Sequence, residues 1–457
     1  MVNGVASVFG WSRPVAGVTA PVANIPGRGF CNFKATDTSV VLGMHSDNSI
    51  VEKAPIDPVS VDEMQISHIC ARPSLVNVIT WKGADAVDTI LGYNSVSPDL
   101  NEAQLVSGNV TVVDPTLGDY VFNKFGFWRA DTHFRISIVK TGFHVGRLEV
   151  FYNPYILPAQ TVDQIDTTNC YREIFDITNK NELEFVIPYQ HSQILQHSVG
   201  ISGSIGYLQF KVLAPLTAPD TVSNNVTIHV WKWYEKVAVA GASGHHLHIW
   251  DGTLPTKSVP ATLQVNGDSS TAPPNVVFGE VNDEQSLIDA CSAVCGEMCV
   301  NLREATRGFR EATSLKDAHT VTTVVGIELD GYLGMCSNIF AFYRGGLSFK
   351  IIPNTASGSA HTFSTLSLNQ VAGGDLPTHH TFNYTTPIHE VSVPFYTTYR
   401  RVPTNVSTAF PDLYAPTLTV EDYSGSSISA RWFVAGKDDL TFSYLIGSPL
   451  LTLEKGS

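Results

Sequence analysis

The chain has 457 residues, 43% of them hydrophobic and 15% charged, against a charged share of about 25% in ordinary soluble domains, which excludes disordered chains and long solvated coiled coils. Its 35 glycines and 25 prolines punctuate it too often for helical bundles and without the period of collagen, so short strands joined by turns are expected. A formal net charge of −14 makes the whole molecule repel polyanions, and charge-led capture of nucleic acid is not its leading property.

Strand-rich units run to about 200–250 residues, so the length predicts two large domains. No run approaches the length of an apolar membrane span, and the first thirty residues lack the pattern of a secretory signal; a soluble, non-secreted chain is expected. Seven cysteines, an odd number without a CxxC pair, read as reduced thiols. The sequons at Asn109, Asn225, Asn383 and Asn405 then read as unused matches.

In chain order, residues 1–36 carry Pro14, Pro21 and Pro26, no acidic group, and Arg13 and Arg28, which predicts an extended arm lying on another surface. A first domain is placed at 37–254. Phe134, Ile136 and Ile138 alternate with His133, Arg135 and Ser137, the pattern of a half-buried strand. After the glycine-containing turn Lys140–Gly146, Leu148, Val150 and Tyr152 resume the alternation up to Pro154, so the segment reads as a hairpin. Leu208, Phe210 and Val212, then Val226, Ile228 and Val230, mark further strands. His245, His246 and His248 offer an H-x-H pair, but no glutamate follows within four residues, so a polar loop is preferred over a metal centre.

Residues 255–282, rich in Pro, Ser, Thr, Asn and Gly, read as a linker, and a second domain is placed at 283–457. Leu287, Ile288, Cys291, Cys295, Met298, Cys299 and Leu302 recur at three-and-four spacing, predicting an amphipathic helix over Asp283–Arg310 whose cysteines are small core residues rather than ligands. Leu347, Phe349 and Ile351, then Ile428, Ala430 and Trp432, give strands in the second half. No GxSxG, P-loop, GxGxxG or HExxH string occurs, so no nucleophilic, nucleotide-binding or zincin chemistry is indicated, and no catalytic residue, cofactor or metal is assigned.

The halves repeat each other. Gly146, Leu148 and Pro154 match Gly345, Leu347 and Pro353; FVIPY at 185–189 matches VSVPF at 391–395; Ala214–Pro215 matches Ala415–Pro416; and Trp231 matches Trp432. The order is kept and the offsets stay near two hundred residues, as two tandem copies of one domain would give. Each half has room for about eight strands, the number a jelly roll needs.

At these residues the sequence resembles the capsid polyproteins of picorna-like viruses, in particular the dicistrovirus and marine RNA virus branch. The resemblance is carried by FGWSRP (9–14), IPGRGF (25–30), DEMQISHICARP (62–73), the run FGFWRADTHFRISIVKTGFHVGRLEVFYNP (127–154), Gly296–Arg310, FYRGGLSFKIIP (342–353) and AGKDDLTFSYLIGSP (435–449). It implies an all-β chain of two tandem eight-stranded antiparallel jelly rolls, with an extended N-terminal arm and a short helix after the linker. It further implies two adjacent structural proteins, without enzymatic activity, of an icosahedral shell around a single-stranded positive-sense RNA genome. The implied partners are other capsid protein copies, the genomic RNA, a viral cysteine protease and a host receptor that the sequence does not identify. The implied locations are the virion and, during assembly, the host cytoplasm.

The protease of such viruses prefers Gln before a small or aliphatic residue. Gln264–Val265 in the linker is therefore the expected cut, ahead of Gln285–Ser286, which falls inside the predicted helix. An uncut tether is the plain alternative. Asp438 and Asp439 stand near the family's Asp-Asp-Phe motif, but Leu440 replaces the Phe, and a solvated turn is the preferred reading. His133, His144 and Arg147 could meet RNA phosphates, although a solvated face or an intersubunit contact is preferred and the basic arm is the better RNA-proximal candidate. The alternative to a capsid is a non-viral double jelly-roll protein that binds carbohydrate.

Overall fold

The computed structural model describes residues 40–41, 62–98, 104–107, 110–154, 170–198, 205–242, 248–249, 275–278, 293–296, 298–312, 320–322, 331–353, 361–368, 378–383, 389–393, 395, 399–404, 416–422 and 430–453. The strands and short helices follow from alternation and capping. The N-terminal half begins with β1 (Val40–Val41), α1 (Ile66–Cys70), β2 (Ser74–Lys82), β3 (Ile90–Ser95), β4 (Gln104–Ser107) and β5 (Val110–Val113). Then come α2 (Leu117–Phe122), where the Thr116 side chain accepts the Asp119 N–H at 3.0 Å as an N-cap, and the long strand β6 (Phe125–Val139). The half ends with β7 (Val145–Asn153), β8 (Tyr171–Asp176), β9 (Glu182–Ile187), β10 (Gln196–His197), β11 (Tyr207–Thr217) and β12 (Asn225–Ala242).

The C-terminal part contains β13 (His248–Ile249), β14 (Asn275–Val277), α3 (Leu302–Thr306), β15 (Arg310–Glu311), β16 (Thr320–Thr322), α4 (Gly331–Ile339) and β17 (Phe340–Arg344). It continues through β18 (Leu347–Pro353), β19 (His361–Leu368), β20 (Thr378–Asn383), β21 (His389–Val393), β22 (Val402–Pro403), β23 (Pro416–Asp422), β24 (Ala430–Gly436), β25 (Thr441–Leu445) and β26 (Leu451–Leu453).

In the first half one sheet runs β9-β6-β12-β2, with β10 beside β6, and a second runs β3-β11-β7-β8. In the second half one sheet runs β21-β18-β24-β15 and the other β16-β23-β19-β20. Taken along the chain, the strands visit the two sheets in the same sequence in both halves: first, second, first, second twice, first, second, first. That alternation is consistent with a jelly-roll capsid fold, because each crossing carries the chain over the core between two antiparallel sheets. Two smaller sheets, β22-β17-β25 and β13-β26-β5-β4, complete the described set.

Alternation places the core as expected. Phe134 and Ile136 on β6, Leu148, Val150 and Tyr152 on β7, Leu208, Phe210 and Val212 on β11, and Leu347, Phe349 and Ile351 on β18 are all buried. These residues belong to one contiguous hydrophobic cluster that extends from Met64 to Leu451 and so runs through both halves.

Three expectations are corrected. The segment 133–154 is not a hairpin: β6 pairs with β9, β10 and β12, whereas β7 pairs with β8 and β11. The turn at 140–144 is an arch between sheets, and an arch leaves the same period-two pattern as a hairpin because both flanking strands still bury one face. The helix predicted over 283–310 is not continuous: among the described residues the chain is helical at 293–294 and again at Leu302–Thr306, with a break between them. Gly296 has φ +68 and Cys299 forms a bridge to Val239, so the backbone there is spent on strand-like pairing, and Asn301 starts a new turn by accepting the Arg303 N–H at 2.8 Å. Residues 283–292 lie outside the described residues.

The repeat is sound on three of its four landmarks at the level of strands. FVIPY and VSVPF end β9 and β21, Ala-Pro falls on β11 and at the start of β23, and the tryptophans fall on β12 and β24, which are counterparts by sheet position. The G-x-L-x5-P match is not sound: Leu148 is on β7, whose counterpart is β19, while Leu347 is on β18, the counterpart of β6.

Candidate functional site

The strand edges and the seam between the two halves carry the first candidate chemistry. Both leading segments cross over. Val40–Val41 adds a parallel strand to β21, and Asn275–Val277, within the expected linker, adds one to β9. Pro188 follows β9 directly, which ends that edge where a further ladder N–H would be missing. The C-terminal strand β26 pairs with β5 of the first half and with β13.

Backbone and side-chain contacts together close the seam. The Met64 carbonyl accepts the Leu302 N–H at 3.0 Å, the Val300 carbonyl accepts the Ile66 N–H at 3.1 Å, and the Val239 carbonyl accepts the Cys299 N–H at 3.0 Å. The Asp62 carboxylate accepts Asn301 Nδ2 at 2.7 Å and lies 3.6 Å from the Arg303 guanidinium. Tyr332 donates its hydroxyl to the Lys124 carbonyl at 2.8 Å, and its ring packs 5.4 Å from that of Phe125. On the edge strand β25, Glu63 accepts the Tyr444 N–H and Arg72 donates to the Leu445 carbonyl. These side chains occupy groups that would otherwise offer a template for another strand. An open cavity of about 720 Å³ lined by Glu63, His68, Arg72, Tyr444 and Ile446 lies at this seam.

The first half holds a buried ionic network that pattern reading passed over. Lys232 and Asp119 are buried; Lys232 Nζ donates to the Ser97 carbonyl at 2.9 Å and lies 3.7 Å from Asp119 Oδ1, which also accepts the Tyr234 hydroxyl. Both charges are thus taken out of water only with partners in place. The signal was present: Lys232 shares the period-two parity of Val226, Ile228, Val230 and Tyr234.

The singled-out residues separate. Gln264–Val265 and Gln285–Ser286 lie outside the described residues, between the described strand β13 and α3; β14 intervenes. Asp438 pairs with Arg307 Nε at 3.1 Å, whereas Asp439 accepts the Gly346 N–H at 3.1 Å. The two carboxylates are engaged by different partners on a turn, and Leu440 is buried. His144 is buried: its Nδ1 accepts the Thr141 N–H at 3.1 Å and its Nε2–H donates to the Ser223 carbonyl at 2.7 Å. Arg147 pairs with Asp176 at 3.1 Å on the outer side of the β7 sheet. His133 is on the other sheet, stacked 5.3 Å from Trp233 and 3.5 Å from Glu235. The three do not form one basic surface.

Of the histidine and cysteine candidates, His248 pairs through its backbone in β13, while His245, His246 and Cys291 lie outside the described residues. Cys295 and Cys299 are half-buried, and among the described residues no cluster of three metal-ligating side chains occurs. Burial pushes the thiols of Cys70 and Cys336 well above the ordinary range, which removes thiolate reactivity. Among the described residues no helix is long and apolar enough to cross a membrane.

Comparison with known proteins gives this arrangement relatives. Residues 288–455 match the family model described as CRPV capsid protein like. The structural polyprotein of Acute bee paralysis virus (strain Rothamsted) is 30% identical over 511 aligned residues, covering 98% of this chain and 56% of that protein. The structural polyprotein of Cricket paralysis virus is 29% identical over 189 residues, 40% of this chain and 21% of that one. The chain therefore spans little more than half the length of the first of these relatives. Among solved structures, a chain of the native virion of Kashmir bee virus at neutral pH is 30% identical, with 53% of this chain and 96% of that chain covered and a TM-score of 0.45. Similarity along nearly its whole length makes this chain a homologue of dicistrovirus structural polyproteins, and its residues 288–455 match the CRPV capsid protein like model.

Proposed function

We propose that the chain is a structural capsid protein: two tandem eight-stranded jelly rolls, at about 37–254 and 283–457, that assemble with further copies and companion capsid proteins into a closed shell around a single-stranded RNA genome. The observation that carries this is the identical order in which the strands of each half visit their two sheets, combined with similarity to structural polyproteins over 98% of the chain. The physical logic is that of tiling. Two-sheet sandwiches expose broad faces and loop ends, and modest contacts repeated over many copies close a container that no single contact would hold. A role without catalysis is supported by the relatives, which are structural polyproteins.

The proposed processing point is Gln264–Val265, flanked by the described strands β13 and β14, with the viral cysteine protease as the partner that would use it. The arm 1–36, basic and proline-broken, is the segment proposed to approach RNA. One experiment tests the reading. Co-expression with the companion capsid proteins and protease of the same virus should give sedimenting particles seen by electron microscopy, and mass spectrometry should find the new terminus at Val265. Failure of the complete set to form particles would overturn the capsid reading, and a terminus elsewhere would overturn the processing point alone.

A further inference from the structure

The strand β14 follows the proposed cut in the sequence yet is seated on the first half. Its residues run parallel to β9 in the register Asn275 to Glu184, Val276 to Phe185 and Val277 to Val186. Phe278 closes the contact: its N–H donates to the Val186 carbonyl at 2.8 Å. Its ring is 3% exposed and stacks 5.3 Å from Phe185 and 6.3 Å from Tyr171, with interplanar angles of 29° and 28°. An added strand gains affinity from main-chain hydrogen bonds and selectivity from the side-chain pocket at its end, and neither requires a covalent link to the receiving sheet. The matching edge of the second half, β21, receives Val40–Val41 in the same parallel sense.

We propose that the outer edge of β9, with the aromatic shelf of Phe185 and Tyr171, is a strand-acceptor site for residues 275–278, and that it locks the two halves together as a non-covalent pair once the chain is severed between β13 and β14. The inference deepens the capsid reading and rests on its step in which the linker is cut. Phe278 is the anchor, because burial of an aromatic ring is the largest single apolar contribution that four residues can bring to an edge.

The test places the recognition sequence of an unrelated protease over residues 256–263 of the full chain, so its outcome does not depend on whether Gln264 is the natural cut. After complete cleavage the fragments should co-elute at the size of the intact chain. Phe278→Ala should leave the uncut chain folded by circular dichroism, yet after cutting its fragments should separate at a concentration at least tenfold higher than the parent pair. A second variant covers the case in which Phe278→Ala fails to fold: Val186→Cys with Val277→Cys, register partners, should cross-link under oxidation as completely after the cut as before it. Separation of the parent fragments, equal persistence of the Phe278→Ala pair, or loss of the cross-link on cutting would each overturn the proposal.

Discussion

Single residues show how burial decides which protonation state the fold prefers. His133 is attracted to its cationic form by Glu235, Asp131 and Glu184, but burial outweighs them and holds its pKa below the ordinary value. Burial does the same to His229. An unfolded histidine titrates near 6.5, so between the two values the unfolded chain binds more protons than the folded one, and stability rises with pH. The contribution is therefore complete above about pH 6.5 and is lost as the pH falls below it. Urea midpoints measured from pH 8 down to 5.5 should drop, and His133→Gln with His229→Gln should flatten that drop; an unchanged slope in the double variant would refute the assignment. Asp176, lowered by hydrogen bonds from Thr178 and by Arg147, acts in a separate window, below the ordinary carboxylate range. At this scale the core was legible wherever side chains alternate. Lys232 was not read as buried, because its charge argues for solvent and only its parity, confirmed by the Ser97 and Asp119 contacts, argues against it.

Elements were more legible than their pairing. The strands around Phe134, Leu148, Leu208, Val226 and Leu347 stand where period-two alternation put them, but alternation carries no information about which strand lies alongside, and so an arch passed for a hairpin. The repeated glycine motif failed for a related reason, since the two glycines meet different demands. A Cβ at Gly146 would come within 2.5 Å of the Trp81 ring, whereas Gly345 has φ +117 and its Cβ would meet the Asp439 carbonyl oxygen at 2.4 Å and Leu440 Cα at 2.5 Å. The first is a close approach to a side chain, the second a left-handed turn against backbone. Gly345→Ala should therefore destabilise by about 1–3 kcal/mol, the cost of holding an ordinary residue in such a conformation. Gly142→Ala in the arch, with open space around it and no positive φ, should stay within about 0.5 kcal/mol of the parent. Chemical denaturation of both separates these outcomes, and equal costs would show that the turn geometry at 345 is misassigned. The helix over 283–310 is present in two pieces rather than one, because spacing of apolar residues reports which face is buried but not whether the backbone is claimed elsewhere, as Cys299 is by Val239.

At the scale of the whole molecule the two halves are joined by more than a linker. The repeat made the matching strand order of the halves legible, but nothing in local pattern announces that β1, β14 and β26 lie across the seam, since an added edge strand of two or three residues has no periodicity of its own. The exchange has a thermodynamic consequence. One hydrophobic cluster reaches from Met64 and Phe125 to Tyr332 and Phe442, so neither half can expose its side of the seam without stripping apolar cover from the other, and the uncut chain should unfold in one calorimetric transition. Tyr332→Phe tests this at one hydrogen bond of the seam. It leaves the ring in place against Phe125 but removes the donor to the Lys124 carbonyl, at a cost of about 0.5–1.5 kcal/mol, the net worth of an ordinary intramolecular hydrogen bond. If the halves are coupled, that loss in the second half lowers the melting of the first by the same amount and the peak stays single. Two resolved peaks of which only one moves would mean that the sandwiches are thermodynamically independent and that the crossing strands merely touch.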